Sequence, residues 1–315
     1  MDMDPAALDP AVLDQVQLNF NPTGIAVING AIGLMMLGVA LELRFEDFRR
    51  IIASPKAPAI GLAAQFILLP AFTFLLVSVL DPFPSIALGM MLVAACPGGN
   101  LSNIITYLSR GNSAVSISMT AVSTVVAIGM TPVNISFWGR LNPATEPILR
   151  RVSLDPMDVF VTVFVILGIP LVIGMGLGKY MPGLAGKVRK PFKLFSLCFF
   201  ILIVCGALAA NWTYFIAYVG IVVFAVLLHN ALALNIGYWS AKLFRLPEPD
   251  CRAVCVEVGI QNSALGLILV FNFFEGLGGM AILVAWWGIW HIISGLITAF
   301  FFSRIKGDAG EVVRG

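Results

Sequence analysis

Apolar runs long enough to cross a hydrocarbon layer recur from one end of this chain to the other, and that repetition restricts the fold more than any other feature. Inside a bilayer every backbone N–H and C=O must be satisfied within the protein, so a chain of this kind forms helices or a closed barrel. The runs are about 20 residues or longer, the length of spanning helices rather than barrel strands. Hydropathy and polar punctuation divide them into nine spans: 24–43, 58–80, 84–108, 113–138, 156–180, 190–210, 214–244, 250–273 and 280–304. A mean hydropathy of +0.95 with 11% charged residues excludes an ordinary soluble domain. The first residues carry Asp2, Asp4, Asp9 and Asp14 and no base before Arg44, unlike a secretory signal peptide.

An odd number of spans puts the two ends of the chain on opposite sides. With an N-terminal segment 1–23 outside, the segments 44–57, 109–112, 181–189, 245–249 and the tail 305–315 fall inside. Sixteen basic residues then lie in these internal segments or at the span ends beside them, and three (Arg140, Arg150 and Arg151) are external, which is the positive-inside pattern. The expectation is a multi-pass protein of a plasma or inner membrane with a cytoplasmic C-terminus. The longest polar break, 139–155, separates a first unit of four spans (24–138) from a second of five (156–304). Spans 1–4 and 6–9 are offset by an odd number, so matching helices run in opposite directions. That is the arithmetic of an inverted repeat.

Two spans are interrupted at corresponding places. Span 3 contains Cys96-Pro-Gly-Gly-Asn-Leu-Ser-Asn103, and span 8 contains Glu257-Val-Gly-Ile-Gln-Asn-Ser263. Pro97 cannot donate the helical hydrogen bond, and Gly98 and Gly99 make helix costly, so the backbone unwinds there. The bland reading is a packing kink; the alternative is a binding site, because exposed half-helix ends offer N–H groups to anions and C=O groups to cations. Glu257 favours the second, since an ionisable group at membrane depth marks a substrate or ion pathway. Span 4 adds Ser113, Ser116, Thr120, Ser123 and Thr124 at helical spacing, and Gln65 sits alone in apolar span 2. Both suit interhelical hydrogen bonding or a site equally well. Together these groups supply one negative charge and many neutral oxygens, the shell of a hard monovalent cation.

Little else asks for chemistry. His229, His291, Asn230 and Asn235 have no metal-ligand spacing and read as helix–helix hydrogen-bonding groups. The five cysteines (96, 198, 205, 251 and 255) form no disulfide or metal pattern and read as buried thiols. No phosphate loop, zinc-protease or Cys-x-x-Cys signature is present, and no nucleophile–base pair points to an enzyme or nucleic-acid partner.

Pro97-Gly-Gly-Asn-Leu-Ser-Asn103, followed by Ser116-Ile-Ser-Met-Thr120, Ser123-Thr124 and Glu257-Val-Gly-Ile-Gln-Asn262, resembles the bile acid:sodium symporter family. The likeness runs over essentially the whole chain in span order. It implies an all-α membrane protein of nine helices, with a core domain from spans 2–4 and 7–9 and a panel domain from spans 1, 5 and 6. Spans 3 and 8 would cross, unwound, near the middle. It implies two sodium ions: one held by Ser102, Asn103, Ser116, Thr120 and Glu257, the other by Gln65, Glu257, Gln261 and the carbonyls of Val258 and Ile260. Asn100 and Asn262 are the implied substrate contacts, with Asn100 where many relatives carry threonine.

The function expected is sodium-coupled symport of a small organic anion across the bilayer by alternating access. A bile acid, a related steroid conjugate or a smaller carboxylate would serve as substrate. A proton-coupled or sodium-independent exporter on the same scaffold is the alternative, and a receptor or channel without concentrative transport is a further one.

Overall fold

A computed structural model describes residues 30–305 apart from 32, 39, 42, 153–154 and 211. The N-terminal segment 1–23 and all of the tail beyond residue 305 lie outside the described residues. Every element within them is helical, and the only extended pairing is a single antiparallel bridge between Gly98 and Gln261. The protein is an all-α membrane protein. Among the described residues five helices are long and apolar enough to cross a membrane.

Helical positions between 30 and 40 come first, followed by the short amphipathic α1 (Phe45–Ala53). α2 (Lys56–Leu80) crosses next, with one π-helical turn at Ala64–Leu68. Span 3 is broken into α3 (Pro84–Ala95) and α4 (Leu101–Leu108). α5 (Ser113–Leu141) starts at an Asn112 cap, whose side-chain oxygen accepts from the Ala114 and Val115 amides at 3.1 and 3.3 Å. The short α6 (Glu146–Arg151) leads to α7 (Met157–Tyr180), which carries a second π turn at Phe164–Gly168. α8 (Pro182–Ala210) and α9 (Trp212–Leu243) follow. Span 8 is broken into α10 (Glu248–Gly259) and α11 (Ser263–Phe273), and α12 (Gly278–Arg304) closes the described chain.

The breaks follow from local chemistry. α3 ends where Cys96 turns extended (φ −76, ψ 156), as a residue before proline prefers. α10 ends at Ile260 (φ −112, ψ 100), and Asn262 then caps α11 by accepting from the Leu265 amide at 3.1 Å. The four half-helices pack inside the molecule: α3, α4 and α11 against α12, and α10 against α9, α2, α4 and α5. Contact between α9 and α10 is close because Gly237 has no side chain; a Cβ there would lie 2.7 Å from the Val254 oxygen.

Hydropathy misplaced several helix ends. Residues 182–189, expected in an internal loop, are the first turns of α8; α1 lies within the expected loop 44–57, and α6 within the expected linker 139–155. Hydropathy reports where apolar surface ends, whereas a helix continues wherever its backbone bonds remain favourable. The thiols also divide. Cys96, Cys251 and Cys255 are buried as expected, but Cys198 and Cys205 are exposed on α8.

A charged cluster fastens one end of the broken helices. Arg252, buried on α10, donates to the carbonyls of Ser109 (3.1 Å), Phe302 (3.0 Å) and Ile305 (3.4 Å), which are the C-terminal ends of α4 and α12. Its Nε donates to Glu248 at 3.2 Å, and Lys242 pairs with the same carboxylate at 2.5 Å. Asn112 completes the fastening, donating its amide to Asp250 at 2.8 Å and its backbone N–H to the Pro249 carbonyl at 2.9 Å. Burial, the largest single influence, pushes the Glu248 carboxyl up. Hydrogen bonds from Lys242 and Arg252 outweigh it and hold the group below its ordinary range.

Arg252→Met leaves three helix-end carbonyls without their donor and takes one of its donors from Glu248, and should lower stability by about 3 kcal/mol, read as a fall in unfolding temperature in detergent. Because the folded Glu248 carboxyl is held low, its stabilisation is present at neutral pH and above. It should be lost only as pH falls through and below the ordinary carboxylate range. Glu248→Gln should flatten that acid limb of an unfolding-temperature profile, and an unchanged limb would show that the cluster does not contribute.

Candidate ion-binding site

The two broken spans meet at their interruptions and satisfy each other. The Gly99 N–H donates to the Ile260 carbonyl at 2.7 Å, and the Asn262 N–H donates to the Pro97 carbonyl at 2.9 Å. Carbonyls freed by the unwinding find side-chain donors: Cys96 from Gln65 (2.8 Å), Ala95 from Thr131 (2.7 Å) and Gly259 from Asn230 (2.8 Å). Unpaired backbone at this depth costs several kcal/mol per group, so the crossing is stable only as a reciprocal unit.

Glu257 is buried where α10 reaches the crossing. Its Oε2 accepts from Ser102 at 2.6 Å and Ser116 at 3.0 Å, and its Oε1 accepts from Thr120 at 2.6 Å. Asn103 Oδ1 lies 2.9 Å from the Ser116 hydroxyl and 3.3 Å from the Thr120 hydroxyl. All five residues of the first expected site therefore converge, from α4, α5 and α10. Each hydroxyl has one proton. With those protons on Glu257 and the Asn103 amide so oriented, the Asn103 oxygen faces two hydroxyl oxygens with no hydrogen between them. Oxygen contacts outnumber protons, and a hard cation is the species that such a set accommodates.

Gly98 is part of this geometry. A Cβ at that position would lie 2.5 Å from Glu257 Oε1, so a side chain there would displace the carboxylate from its present place.

The second expected group is assembled differently. Gln65 donates from Nε2 to the Cys96 carbonyl and to Gln261 Oε1, each at 2.8 Å, and Gln261 Nε2 donates to the Val258 carbonyl at 2.7 Å. The Ile260 carbonyl already accepts from Gly99. Neither glutamine bonds to the Glu257 carboxylate, which is surrounded by the first group. Gln65 Oε1 is buried and has no hydrogen-bond partner among the described residues, an orphaned acceptor that a cation would satisfy.

The two expected substrate contacts, Asn100 and Asn262, are half-buried, as is Asn103 beside Glu257, whereas Gln65, Ser102, Ser116, Thr120, Glu257 and Gln261 are buried. Asn100 precedes α4 and makes no side-chain cap bond. Asn262 spends its oxygen on capping α11 and turns its Nδ2 to Met36 Sδ, 3.9 Å away on the helix over 30–40. The hydroxyl stripe of α5 divides: Ser116 and Thr120 join Glu257, whereas Ser123 and Thr124 bond back to the Thr120 carbonyl at 3.1 and 2.7 Å. His229 meets Thr73 at 2.8 Å and His291 meets Ser263 at 3.4 Å, interhelical contacts of the expected kind.

Sequence reasoning passed over Asn134, Thr131, Asn112 and Arg252. Polar residues in or beside apolar spans were the available signal, but nothing in the sequence says which carbonyl each one faces.

Comparison with known proteins decides the relationship: the profile of the sodium bile acid symporter family matches residues 30–218. The chain belongs to that family. Among its relatives is a Bacillus subtilis protein named as an uncharacterized sodium-dependent transporter, YocS. It is 30% identical over 274 residues, covering 87% of this chain and 82% of its own. A rice chloroplast protein named as the probable sodium/metabolite cotransporter BASS2 is 30% identical over 81% of this chain and 62% of its own length. The human P3 protein is 28% identical over 73% of this chain, which spans 47% of that longer protein. The family match ends at residue 218, short of Glu257 and Gln261.

Gly98→Ala should push the Glu257 carboxylate away from its three hydroxyls while leaving the fold intact. The expected result is a folded protein whose unfolding temperature no longer responds to sodium. Wild-type response in Gly98→Ala would mean that the carboxylate is not confined as described.

Proposed function

We propose that this protein is a sodium-coupled symporter of a small organic anion, with the carboxylate of Glu257 as the centre of ion binding. The single observation that carries the reading is the convergence of Ser102, Asn103, Ser116 and Thr120 on that carboxylate. A first sodium ion would be held by those five residues. A second would be held by Gln65, Gln261 and the carbonyls of Val258 and Ile260, with Glu257 near both. The names of the Bacillus and rice relatives, which specify sodium dependence and a metabolite cargo, support the same assignment.

The organic anion would dock beside the crossing. Asn100 and Asn262 stand at the N-terminal ends of α4 and α11, where helix dipoles and free N–H groups favour negative charge. The contact between Asn262 and Met36 suits a boundary between a core (α2–α5 with α9–α12) and a panel containing the helix over 30–40, α7 and α8. In this reading the two units are inverted repeats, the N-terminus is outside, and core moves against panel to give alternating access. Sodium drives uptake only if it binds the substrate-competent arrangement more tightly than the others. A bile acid, another steroid conjugate or a smaller carboxylate would each satisfy this chemistry.

Sodium alone tests the reading without a known substrate. At about 100 times its dissociation constant, a bound ion stabilises the native state by about 2.7 kcal/mol. Unfolding temperature should rise saturably with sodium and not with potassium or choline in the wild type, and Glu257→Gln should abolish the rise. Equal responses to sodium and potassium, or a full sodium response in Glu257→Gln, would overturn the assignment. Uptake driven by a pH gradient without sodium would point instead to the proton-coupled exporter.

A further inference from the structure

We infer that Asn134 is a positioning residue for Gln65. It replaces the backbone donor that Pro70 lacks and so maintains the π turn that brings Gln65 to the crossing. The inference rests on the second ion group proposed above and deepens it, because it identifies what holds that group's most distant ligand in place.

Gln65 lies inside the π turn Ala64–Leu68 of α2, and the Leu69 N–H, at the end of the turn, donates five residues back to the Ala64 carbonyl. A π turn costs energy relative to the α-helix around it and persists where something else favours it. Here Pro70 follows immediately. Having no N–H, it leaves the Phe66 carbonyl, four residues earlier, without its helical donor. That carbonyl is buried in the protein, where water cannot serve. The Asn134 side chain reaches it from α5, with Nδ2 3.0 Å from the Phe66 oxygen. Its own oxygen is held in turn by the Trp138 indole N–H at 3.2 Å, which fixes the orientation of the amide. Asn134 is buried, and both ends of its amide are engaged.

The consequence lies one residue away. Because the turn is widened at Ala64–Leu68, Gln65 reaches both the Cys96 carbonyl and Gln261 Oε1, leaving its own Oε1 as a buried, unpaired acceptor. If Asn134 is removed, the Phe66 carbonyl can recover a donor only by rearranging the turn, and Gln65 moves with it. The same helix α5 carries Ser116 and Thr120 of the first group nearer its start, so one helix contributes to both groups. By contrast, the second π turn, Phe164–Gly168, also precedes a proline, Pro170, but carries no polar side chain.

The experiment is a sodium titration of the purified full chain, following unfolding temperature, on wild type, Asn134→Ala and the double variant Asn134→Ala/Pro70→Ala. Loss of a residue that supports metal ligands weakens affinity by about tenfold or more. Asn134→Ala should therefore raise the sodium half-saturation by about tenfold and lower the steepness of the titration, as one of two ions is weakened. Restoring a backbone N–H with Pro70→Ala should return the half-saturation toward wild type, which recovered packing alone would not do. Trp138→Phe, milder because it only frees the Asn134 amide to turn, should shift the half-saturation in the same direction by a smaller factor, and serves if Asn134→Ala does not fold. An unchanged titration in both Asn134→Ala and Trp138→Phe overturns the inference, as does a weakened titration that Pro70→Ala leaves unrepaired. A wild-type protein indifferent to sodium would fail at the proposed function itself, before Asn134 is reached.

Discussion

The hydrogen bonds exchanged between two broken helices support everything else in this molecule. Spans 3 and 8 each give up helical bonds near their middle and recover them from one another through Gly99 to Ile260 and Asn262 to Pro97. Neither break is tolerable alone, because backbone polar groups at membrane depth have no water to turn to. Once paired, they place the end of α10 beside the start of α4, and Glu257 enters a ring of hydroxyls that no continuous helix would present. Stability and binding chemistry are thus properties of the same few peptide groups.

Side-chain amides and hydroxyls extend the arrangement outward. Gln65, Asn134, Asn230 and Thr131 each donate to a carbonyl that a proline or an unwound segment leaves without its helical partner. Polar residues in apolar spans are usually read either as functional or as incidental glue. Here the division is finer. Several complete the backbone, while Glu257 gathers three hydroxyl donors and Gln65 Oε1 is left without a partner among the described residues. At one end of the half-helices, Arg252 and Asn112 tie α4, α10 and α12 together, so Ser102 and Asn103 on α4 and Glu257 on α10 share one base.

Asn100 and Asn262, the residues expected to meet the substrate, are half-buried and carry lighter commitments than the residues around Glu257.

Membrane class, the approximate courses of the spans and the two interruptions were legible in the sequence, because hydropathy, proline and glycine act locally. The gathering of Ser102, Asn103, Ser116 and Thr120 about Glu257 was legible as well, since Glu257 and the spacing of Ser116 and Thr120 match a family pattern. Helix ends at α1, α6 and α8 were not, because hydropathy marks the apolar boundary and not the last backbone bond. Nor could the sequence assign Ser123 and Thr124 to back-bonding while Ser116 and Thr120 turn to Glu257, though all four share a stripe. It was equally silent on the pairing of Asn134 with the Phe66 carbonyl and of Arg252 with three helix ends. Each of these is a choice of partner between residues tens or hundreds of positions apart, and only the packed tertiary structure brings one donor, and not its neighbours, within hydrogen-bonding distance of a given acceptor.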